Sequence, residues 1–279
     1  MKNFVKSVAR NAMQNLVING ILKSRERSLV GEAQQYWEDP GSLHFQTNSH
    51  WRGDGGIAEC TWTEMGERHI ELLRQHQDRA ARGAMVDRVI EWGCGGGANA
   101  IPFSRMAGEF VGVDISQQSL TECGARLNEI GYLGFKPVLI DVAQPEKRVR
   151  HLLGECDVFL CTYVFELLPT PDYGLRILRL AHDLLRPGGT ALMQIKYQTM
   201  ERRTRPRYWM YESNLANMTT YPIDVFWSMA EQVGFAPSWI SLRPRDELTG
   251  DERYAYFLLD KRGGTDAQRD IEEARLTAA

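Results

Sequence analysis

The chain contains an apolar segment that ends in an acidic residue and runs directly into a glycine-rich turn. Residues 89–97 read Val-Ile-Glu-Trp-Gly-Cys-Gly-Gly-Gly, and a second apolar segment at 111–115 reads Val-Gly-Val-Asp-Ile. This order predicts a strand, a tight turn, a helix and a second strand that ends in an acid. Glycine lets backbone N–H groups approach a ligand, because no Cβ stands in the way. A carboxylate about 20 residues further on suits the hydroxyls of a ribose, so an adenosine-type cofactor is indicated.

The composition is typical of a globular enzyme and gives no general attraction to polyanions. The 279 residues are 43% hydrophobic, which is enough to bury a sizeable core in one large or two small domains. The 33 Lys+Arg and 36 Asp+Glu give a net charge of −3, so bulk electrostatics do not favour nucleic acid or a membrane surface. The five cysteines lack C-x-x-C spacing, so neither a metal site nor a disulfide framework is expected. A reducing, cytoplasmic location is the natural expectation.

The N-terminal segment has a basic, amphipathic character. Residues 1–25 contain lysines and arginines but no acid, and their apolar residues are spaced as on one face of a helix. This pattern loosely resembles an organellar transit peptide. A helix that packs on the rest of the protein is favoured, because the apolar pattern continues unbroken to Ile21 and Leu22. No apolar run in the sequence approaches the ~20 residues of a membrane span.

The chain divides into an N-terminal helical region at 1–86, a larger domain at 87–262 and a polar tail at 263–279. Short apolar runs alternate with amphipathic stretches in the larger domain, which is typical of a parallel sheet wrapped by helices. Helices are predicted at 64–77 and 223–233, and an aromatic, arginine-rich insertion at 199–222. The predicted strands are 88–92, 110–114, 137–141, 158–162, 190–197, 238–242 and 254–260.

The glycine-rich turn is compatible with two classes of cofactor. Residues 93–98 satisfy the dinucleotide pattern G-x-G-x-x-[G/A], so the pattern alone leaves NAD or FAD open. Glu91 argues against them, because a buried carboxylate there would repel a pyrophosphate but would suit a cationic amino group. The C-terminal third also predicts a closing pair of strands rather than a second substrate domain.

Further motifs follow the turn in an order that is typical of one enzyme family. They are Val-Asp-Ile-Ser at 113–116, Leu-Ile-Asp-Val at 139–142, Thr-Tyr-Val-Phe-Glu at 162–166, Leu-Leu-Arg-Pro-Gly-Gly at 184–189 and Ala-Glu-Gln-Val-Gly-Phe at 230–235. With the acid-x-G-x-G-x-G loop at 91–97, they make the chain resemble the class I S-adenosylmethionine (SAM)-dependent methyltransferases, in their small-molecule branch. Leu167 departs from the pattern, since many relatives carry His there, and it receives no catalytic role.

The resemblance implies an α/β fold with SAM as the cofactor. The expected Rossmann-like sheet has seven strands in the order 3-2-1-4-5-7-6, with the strand at 254–260 antiparallel, helices on both faces and an N-terminal helical lid. The helix after the turn would favour the methionine carboxylate with its N-terminus. The predicted cofactor contacts are Glu91, Gly93, Gly95 and Gly97 at the methionine end, Asp114 and Ile115 at the ribose, Asp141 and Val142 at the adenine, and Thr162 near the methyl group.

The acceptor site must come from the regions that flank the cofactor motifs. The segment after the fifth strand could clamp an anion or stack on a ring, and a solvated loop that caps the sheet is an equally favoured alternative. His50, in a glycine-rich part of the lid, is the candidate base for a hydroxyl acceptor, and Tyr163 is the second candidate catalytic residue. The predicted substrate contacts are Tyr197, Arg205, Arg207, Tyr208 and Tyr211.

Three functions stay open at this point. A small-molecule methyltransferase acting by in-line displacement on an oxygen or nitrogen of a natural product, sugar or other metabolite is favoured by the lid and the aromatic insertion. An RNA or protein methyltransferase draws support from the arginine cluster at 202–207 alone. A non-catalytic SAM-binding subunit is disfavoured by the intact motifs. The expected partner is therefore a small molecule rather than a membrane or nucleic acid, and a homodimer is compatible with the sequence.

Overall fold

The structure, a computed structural model, describes residues 26–39, 41–76 and 85–263. The segment 1–25, which the sequence predicts to be a helix or a transit peptide, lies outside the described residues, as does the predicted polar tail beyond Gly263. In the described part of the chain, no helix combines the length and the apolar character needed to cross a membrane.

A seven-stranded sheet lies at the centre, in the order β3-β2-β1-β4-β5-β7-β6. Strands β1 to β5 pair in parallel, whereas β7 runs antiparallel to both β5 and β6. The predicted order and the antiparallel strand are confirmed. The chain order reverses between β1 and β4, which is where α/β sheets place their ligands. The strands are β1 (Val86–Trp92), β2 (Ala107–Asp114), β3 (Phe135–Leu139), β4 (Cys156–Cys161), β5 (Leu185–Lys196), β6 (Phe235–Arg245) and β7 (Glu252–Lys261).

Two helices begin at a residue whose side chain caps them, and one ends at a glycine. The Ser116 hydroxyl accepts from Ser119 N at 3.2 Å and caps α5, and the Thr170 hydroxyl caps α6 in the same way. Gly234, with φ of 112°, ends α8 in the left-handed conformation. The helices are α1 (Glu26–Glu38), α2 (His44–Thr47), α3 (Glu59–His76), α4 (Ala100–Ser104), α5 (Gln117–Glu129), α6 (Pro171–Leu184), α7 (Tyr211–Asn214) and α8 (Ile223–Val233).

Two apolar clusters cover the opposite faces of the sheet. Successive residues of β1 alternate between them, because Ile90 and Trp92 belong to one cluster and Val89 to the other. Helices α1, α6 and α8 pack in the first cluster, and α3, α4 and α5 in the second. The N-terminal helices therefore contribute to both cores.

The segment between α1 and α3 crosses over the glycine-rich turn, and its role as a lid stays a prediction. Gly96 N donates to Ser49 O at 3.0 Å, and Trp51 Nε1 donates to the Ser119 hydroxyl at 3.4 Å. These bonds fix residues 48–51 above the carboxyl end of β1.

Candidate active site

A cavity of about 910 Å³, including its part open to solvent, lies at the carboxyl ends of β1, β2 and β4. Glu91 and Trp92 come from the end of β1, Asp114 from the end of β2, and Thr162 from the residue after β4. The parallel strands bring these side chains to one edge of the sheet. The predicted contacts Glu91, Gly93, Gly95, Asp114, Ile115, Val142 and Thr162 all line this cavity.

Two glycines of the turn form part of the cavity wall. Gly93 and Gly95 have φ of 76° and 49°, in the left-handed region where residues with a Cβ are strained. Gly95 N donates to Asp114 Oδ2 at 2.9 Å. A Cβ on Gly95 would lie 2.3 Å from Ser49 O, so the turn leaves no room for a side chain beneath the lid.

Gly97, the third predicted glycine, does not line the cavity. A Cβ there would lie 3.2 Å from Cys123 Sγ, so this glycine lets α5 pack closely against the turn. The helix that follows, α4, has five residues. The N-terminal dipole that the sequence predicts to favour the methionine carboxylate is correspondingly small, since the macrodipole sums over aligned peptide units.

Asp114 presents a buried carboxylate to the cavity. Its Oδ1 accepts from Ser116 N at 2.8 Å and its Oδ2 from Gly95 N at 2.9 Å. Burial raises the pKa of Asp114 to about 6, against the opposing effect of these backbone hydrogen bonds. The side chain therefore both holds the glycine-rich turn and offers acceptor oxygens at the end of β2.

Glu91 has one satisfied and one unsatisfied carboxylate oxygen. It is 2% exposed, and its Oε1 accepts from Asn99 Nδ2 at 2.6 Å, while its Oε2 has no hydrogen-bond partner among the residues that the structure describes. Burial raises the pKa of Glu91 to about 8, and the charge of Asp114 adds to the effect. A buried acceptor without a donor is unfavourable, so this oxygen is suited to a cationic ligand group.

The segment after β3 meets the cavity through its apolar residues. Ile140 and Val142 line the cavity, whereas Asp141 is exposed and its Oδ1 accepts from Ala143 N at 2.7 Å. Val142 N is already bonded to Gln34 Oε1 of α1 at 2.8 Å. The structure thus gives Asp141 a turn contact, and its contact with adenine stays a prediction.

The two candidate catalytic residues lie side by side. The rings of His50 and Tyr163 have centroids 4.6 Å apart at an interplanar angle of 68°. Both have positive φ, 52° and 58°, a strained conformation that often occurs at functional sites. Burial lowers the pKa of His50 to about 4, so its imidazole is neutral at physiological pH and is a weak base.

A second cavity adjoins the first. Its empty volume is about 1050 Å³, including its part open to solvent. Asn48, His50, Tyr163 and Leu167 line both cavities. Its remaining walls include Glu166, from the motif at 162–166, and residues of the β6–β7 loop, which the sequence patterns did not indicate as part of a site.

Most of the predicted substrate contacts lie outside the two cavities. Tyr211 lines the first cavity, where its hydroxyl accepts from Trp37 Nε1 at 3.0 Å. None of the other four described residues, Tyr197, Arg205, Arg207 and Tyr208, lines either cavity.

The insertion instead takes the arrangement that caps the sheet. Tyr197 and Tyr208 pack against the first apolar cluster, Arg205 is exposed, and Arg207 N donates to Asn217 O at 2.9 Å. Burial of these aromatic rings against the core is more favourable than their exposure in an open groove. This explains why the segment caps the sheet instead of forming the anion clamp that the sequence suggested.

A buried polar network that the sequence patterns did not indicate lies beneath the first cavity. Asn99 donates to Glu91 Oε1 and, at 3.1 Å, to the Thr162 hydroxyl. Its Oδ1 lies 2.7 Å from His69 Nδ1, and His69 Nε2 lies 3.4 Å from the Tyr256 hydroxyl. The sequence feature that could have indicated this network is His69, a histidine on the otherwise apolar face of α3.

A second part of this network reaches the β6–β7 loop. Arg68 donates to both carboxylate oxygens of the fully buried Asp246, at 2.9 and 2.8 Å. Asp246 Oδ2 lies 3.4 Å from the Tyr163 hydroxyl. The network thus contacts the hydroxyl end of Tyr163, a residue that lines both cavities.

Known proteins are similar to part of this chain, the domain that contains the glycine-rich turn. Residues 89–189 match the family model for a methyltransferase domain. A ubiquinone biosynthesis O-methyltransferase of Pseudomonas aeruginosa is 27% identical over 126 residues, which cover 44% of this chain and 50% of that protein. The chain thus matches the curated relatives over about half of their length.

Solved structures share the fold at low sequence identity. Magnesium protoporphyrin IX methyltransferase of Synechocystis PCC 6803 matches with a TM-score of 0.58 and 11% identity, over 84% of this chain and 99% of that one. The cyclase SpnF matches with a TM-score of 0.54 and 15% identity, over 77% and 86%. The fold therefore carries more than one chemistry, and the acceptor must be argued from the site. The family match shows that the chain carries a methyltransferase domain, and the sheet order and the motifs at the strand ends are those of the class I, SAM-dependent methyltransferases.

Proposed function

We propose that this chain binds SAM in the first cavity and transfers its methyl group to a small-molecule acceptor in the second. The observation that carries the proposal is Glu91, whose Oε2 has no hydrogen-bond partner among the described residues and which lines a cavity together with Gly93, Gly95 and Asp114. A dinucleotide would place its pyrophosphate beside the buried Glu91, whose ionisation such a neighbour disfavours in a low dielectric.

The residues of the first cavity fit the parts of SAM. Glu91 would hold the amino group, Gly93 and Gly95 would let the methionine end approach the backbone, and Asp114 would accept from the ribose hydroxyls. Ile140 and Val142 would pack on the adenine ring. We further propose that Asp141 contacts the adenine amino group, as the family resemblance implies.

Methyl transfer depends more on alignment of the reacting atoms than on strong acids or bases in the protein. When bound, the cofactor supplies an electrophilic methyl group on a positively charged sulfur. The protein must hold the acceptor atom in line with it and exclude water, and such positioning is worth roughly 7–11 kcal/mol. His50 and Tyr163 lie where the two cavities meet and are suited to this role.

Transfer of labelled methyl from SAM into fractions of a cell extract tests the proposal, with mass spectrometry of the labelled product. We expect label in small molecules. Label in RNA or protein instead would support the second candidate function. The arginine cluster supports that candidate weakly, because Arg203 is paired with Glu201 and, at 3.2 Å, with Glu252.

A substitution at the junction of the cavities should lower turnover without weakening cofactor binding. His50→Asn removes the imidazole but tolerates the positive φ, since Asn is common in the left-handed region. We expect kcat to fall about tenfold through loss of positioning, with the Kd of S-adenosylhomocysteine unchanged. His44→Asn is the matched control, because His44 lies in the same segment and lines neither cavity. Equal losses in both variants would contradict the assigned role of His50.

Cofactor binding should release a proton from Glu91. In the free protein its pKa is about 8, so it is mostly protonated at neutral pH. A bound ammonium group favours the carboxylate and lowers this pKa. Calorimetry in buffers of different ionisation enthalpy should therefore show release of up to about one proton, and Glu91→Gln should show less.

The raised pKa of Glu91 also predicts how the stability of the cofactor-free protein changes with pH. Because the folded pKa of Glu91 is raised, its contribution to stability is present at low pH and is lost as pH rises towards about 8. Glu91→Gln should therefore gain stability relative to the wild type between about pH 5 and about pH 9. A constant difference between the two unfolding curves across that range would contradict the raised pKa.

A further inference from the structure

Glu166 is a buried carboxylate on the wall of the second cavity that the proposed cofactor site does not use. It is 3% exposed and lies on the short turn after β4, next to Leu167. Its backbone carbonyl accepts from Thr219 N at 3.2 Å, which fixes the turn, but its side-chain Oε2 has no hydrogen-bond partner in the described part of the chain. A buried carboxylate oxygen without a donor is costly, so a ligand that brings a donor would be favoured.

The charges around the second cavity are negative. Asp251 lines the same cavity from the segment before β7, and its Oδ2 accepts from the Tyr254 hydroxyl at 2.9 Å. No lysine or arginine is present among the described residues that line this cavity. Lys196, behind the wall, has its ammonium 5.8 Å from the centre of the Tyr254 ring. The walls therefore favour a cationic ligand group over an anionic one.

The rest of the lining mixes apolar and polar residues. Ile57, Leu215 and Leu248 line the cavity beside Asn48 and three threonines, and the His50 and Tyr163 rings line both cavities where they meet. Apolar surface interrupted by polar groups suits a ligand that has an apolar body and a polar group.

We propose that the second cavity takes an acceptor with an apolar body and an amino group, and that Glu166 holds this amino group and accepts its proton. The inference rests on the proposed function and gives it a substrate class. A proton passes from the acceptor ammonium to the Glu166 carboxylate, which frees the nitrogen lone pair. The lone pair then forms the new N–C bond while the C–S bond breaks, and the sulfur keeps that electron pair as the positive charge moves to the methylated nitrogen.

The groups around Glu166 support this role over His50. The pKa of Glu166 is raised to about 7, chiefly by burial and also by the charge of Asp251, while the backbone N–H of Glu166 itself, the charge of Lys196 and the Tyr254 hydroxyl act against this increase. A base works best when its pKa is near the working pH, and the pKa of His50, about 4, is too low. The groups that face Glu166 are Lys196 from β5, Asp251, Tyr254 and Tyr256 from the β7 side, and Cys161 from β4.

A set of matched probes tests the inference without turnover. 2-Phenylethylamine, 2-phenylethanol and 3-phenylpropionate share an aromatic body and differ in charge. Each is titrated into protein saturated with S-adenosylhomocysteine and followed by NMR chemical shifts. We expect the amine to bind at least about tenfold more tightly than the carboxylate. The amine affinity should also rise between about pH 6 and about pH 8 as Glu166 ionises.

Variants separate Glu166 from the rest of the site. Glu166→Gln keeps the shape and should weaken the amine about tenfold, remove its pH dependence and leave the alcohol unchanged. Glu247→Gln, an exposed position in the β6–β7 loop, should change neither. The inference is overturned if the amine does not bind or binds no more tightly than the carboxylate. It is also overturned if the amine still binds more tightly than the carboxylate in Glu166→Gln. Failure of S-adenosylhomocysteine to saturate the protein would overturn the proposed function instead.

Discussion

Replacing Asp114 by Ala should weaken binding of SAM and of S-adenosylhomocysteine by about 100-fold, or about 3 kcal/mol. The carboxylate is 8% exposed and lines the first cavity at the end of β2. Its removal leaves the ribose hydroxyls without a charged acceptor. It also leaves Gly95 N and Ser116 N without their partner, so the turn loses its support. Calorimetric titration of both ligands measures the effect.

Two comparison variants make this result specific. Asp114→Asn keeps an acceptor oxygen and the side-chain volume, so it should lose less affinity than Asp114→Ala. Asp141→Ala tests the adenine contact, because Asp141 is exposed and does not line the cavity. A loss above about threefold would support that contact, and a smaller one would withdraw it. Wild-type affinity in Asp114→Ala would contradict the ribose assignment.

Replacing Gly66 by Ala should lower the free energy of unfolding by about 2–4 kcal/mol. Gly66 lies in α3 where the helix crosses the end of the glycine-rich turn. A Cβ at this position would lie 2.0 Å from the backbone oxygen of Ala98 and 3.0 Å from the Pro102 ring. Relief requires the backbone to move, because the nearest atom is not the end of a flexible side chain.

Gly31→Ala is the matched control for Gly66→Ala. Gly31 also lies within a helix, α1, and a Cβ there would meet nothing within 4 Å. Alanine is the better helix former by about 1 kcal/mol, so this variant should be as stable as the wild type or more so. Denaturant unfolding followed by circular dichroism measures both. Equal stability of the two variants would contradict the close packing of α3 on the turn.

The sheet could be predicted from the sequence because its signals are local. Each central strand is an apolar run bounded by polar or glycine residues, as at 88–92 and 158–162. The predicted helix 223–233 has the observed bounds, because Pro222 and Gly234 stand at its two ends. The ends of β6 were wrong: it spans Phe235–Arg245 rather than 238–242, since pairing with β7 continues through polar residues.

The cofactor half of the site could be predicted from the sequence more fully than the acceptor half. The cofactor half is set by strand ends and tight turns, so Glu91, Gly95 and Asp114 could be named from nearby residues alone. The acceptor half is assembled from distant segments, since Glu166 meets a wall formed by the β6–β7 loop. The arginines of the insertion were assigned from composition, which does not show that the neighbouring tyrosines pack on the core.

Equilibrium binding to the wild-type chain tests the central claim most directly. Calorimetric titrations are run with SAM, S-adenosylhomocysteine and NAD under the same conditions. The first two should bind with a Kd in the micromolar range, on the order of −8 kcal/mol, and NAD should give no saturable heat. Saturable binding of NAD, with none of SAM or S-adenosylhomocysteine, would contradict the assignment of the cavity.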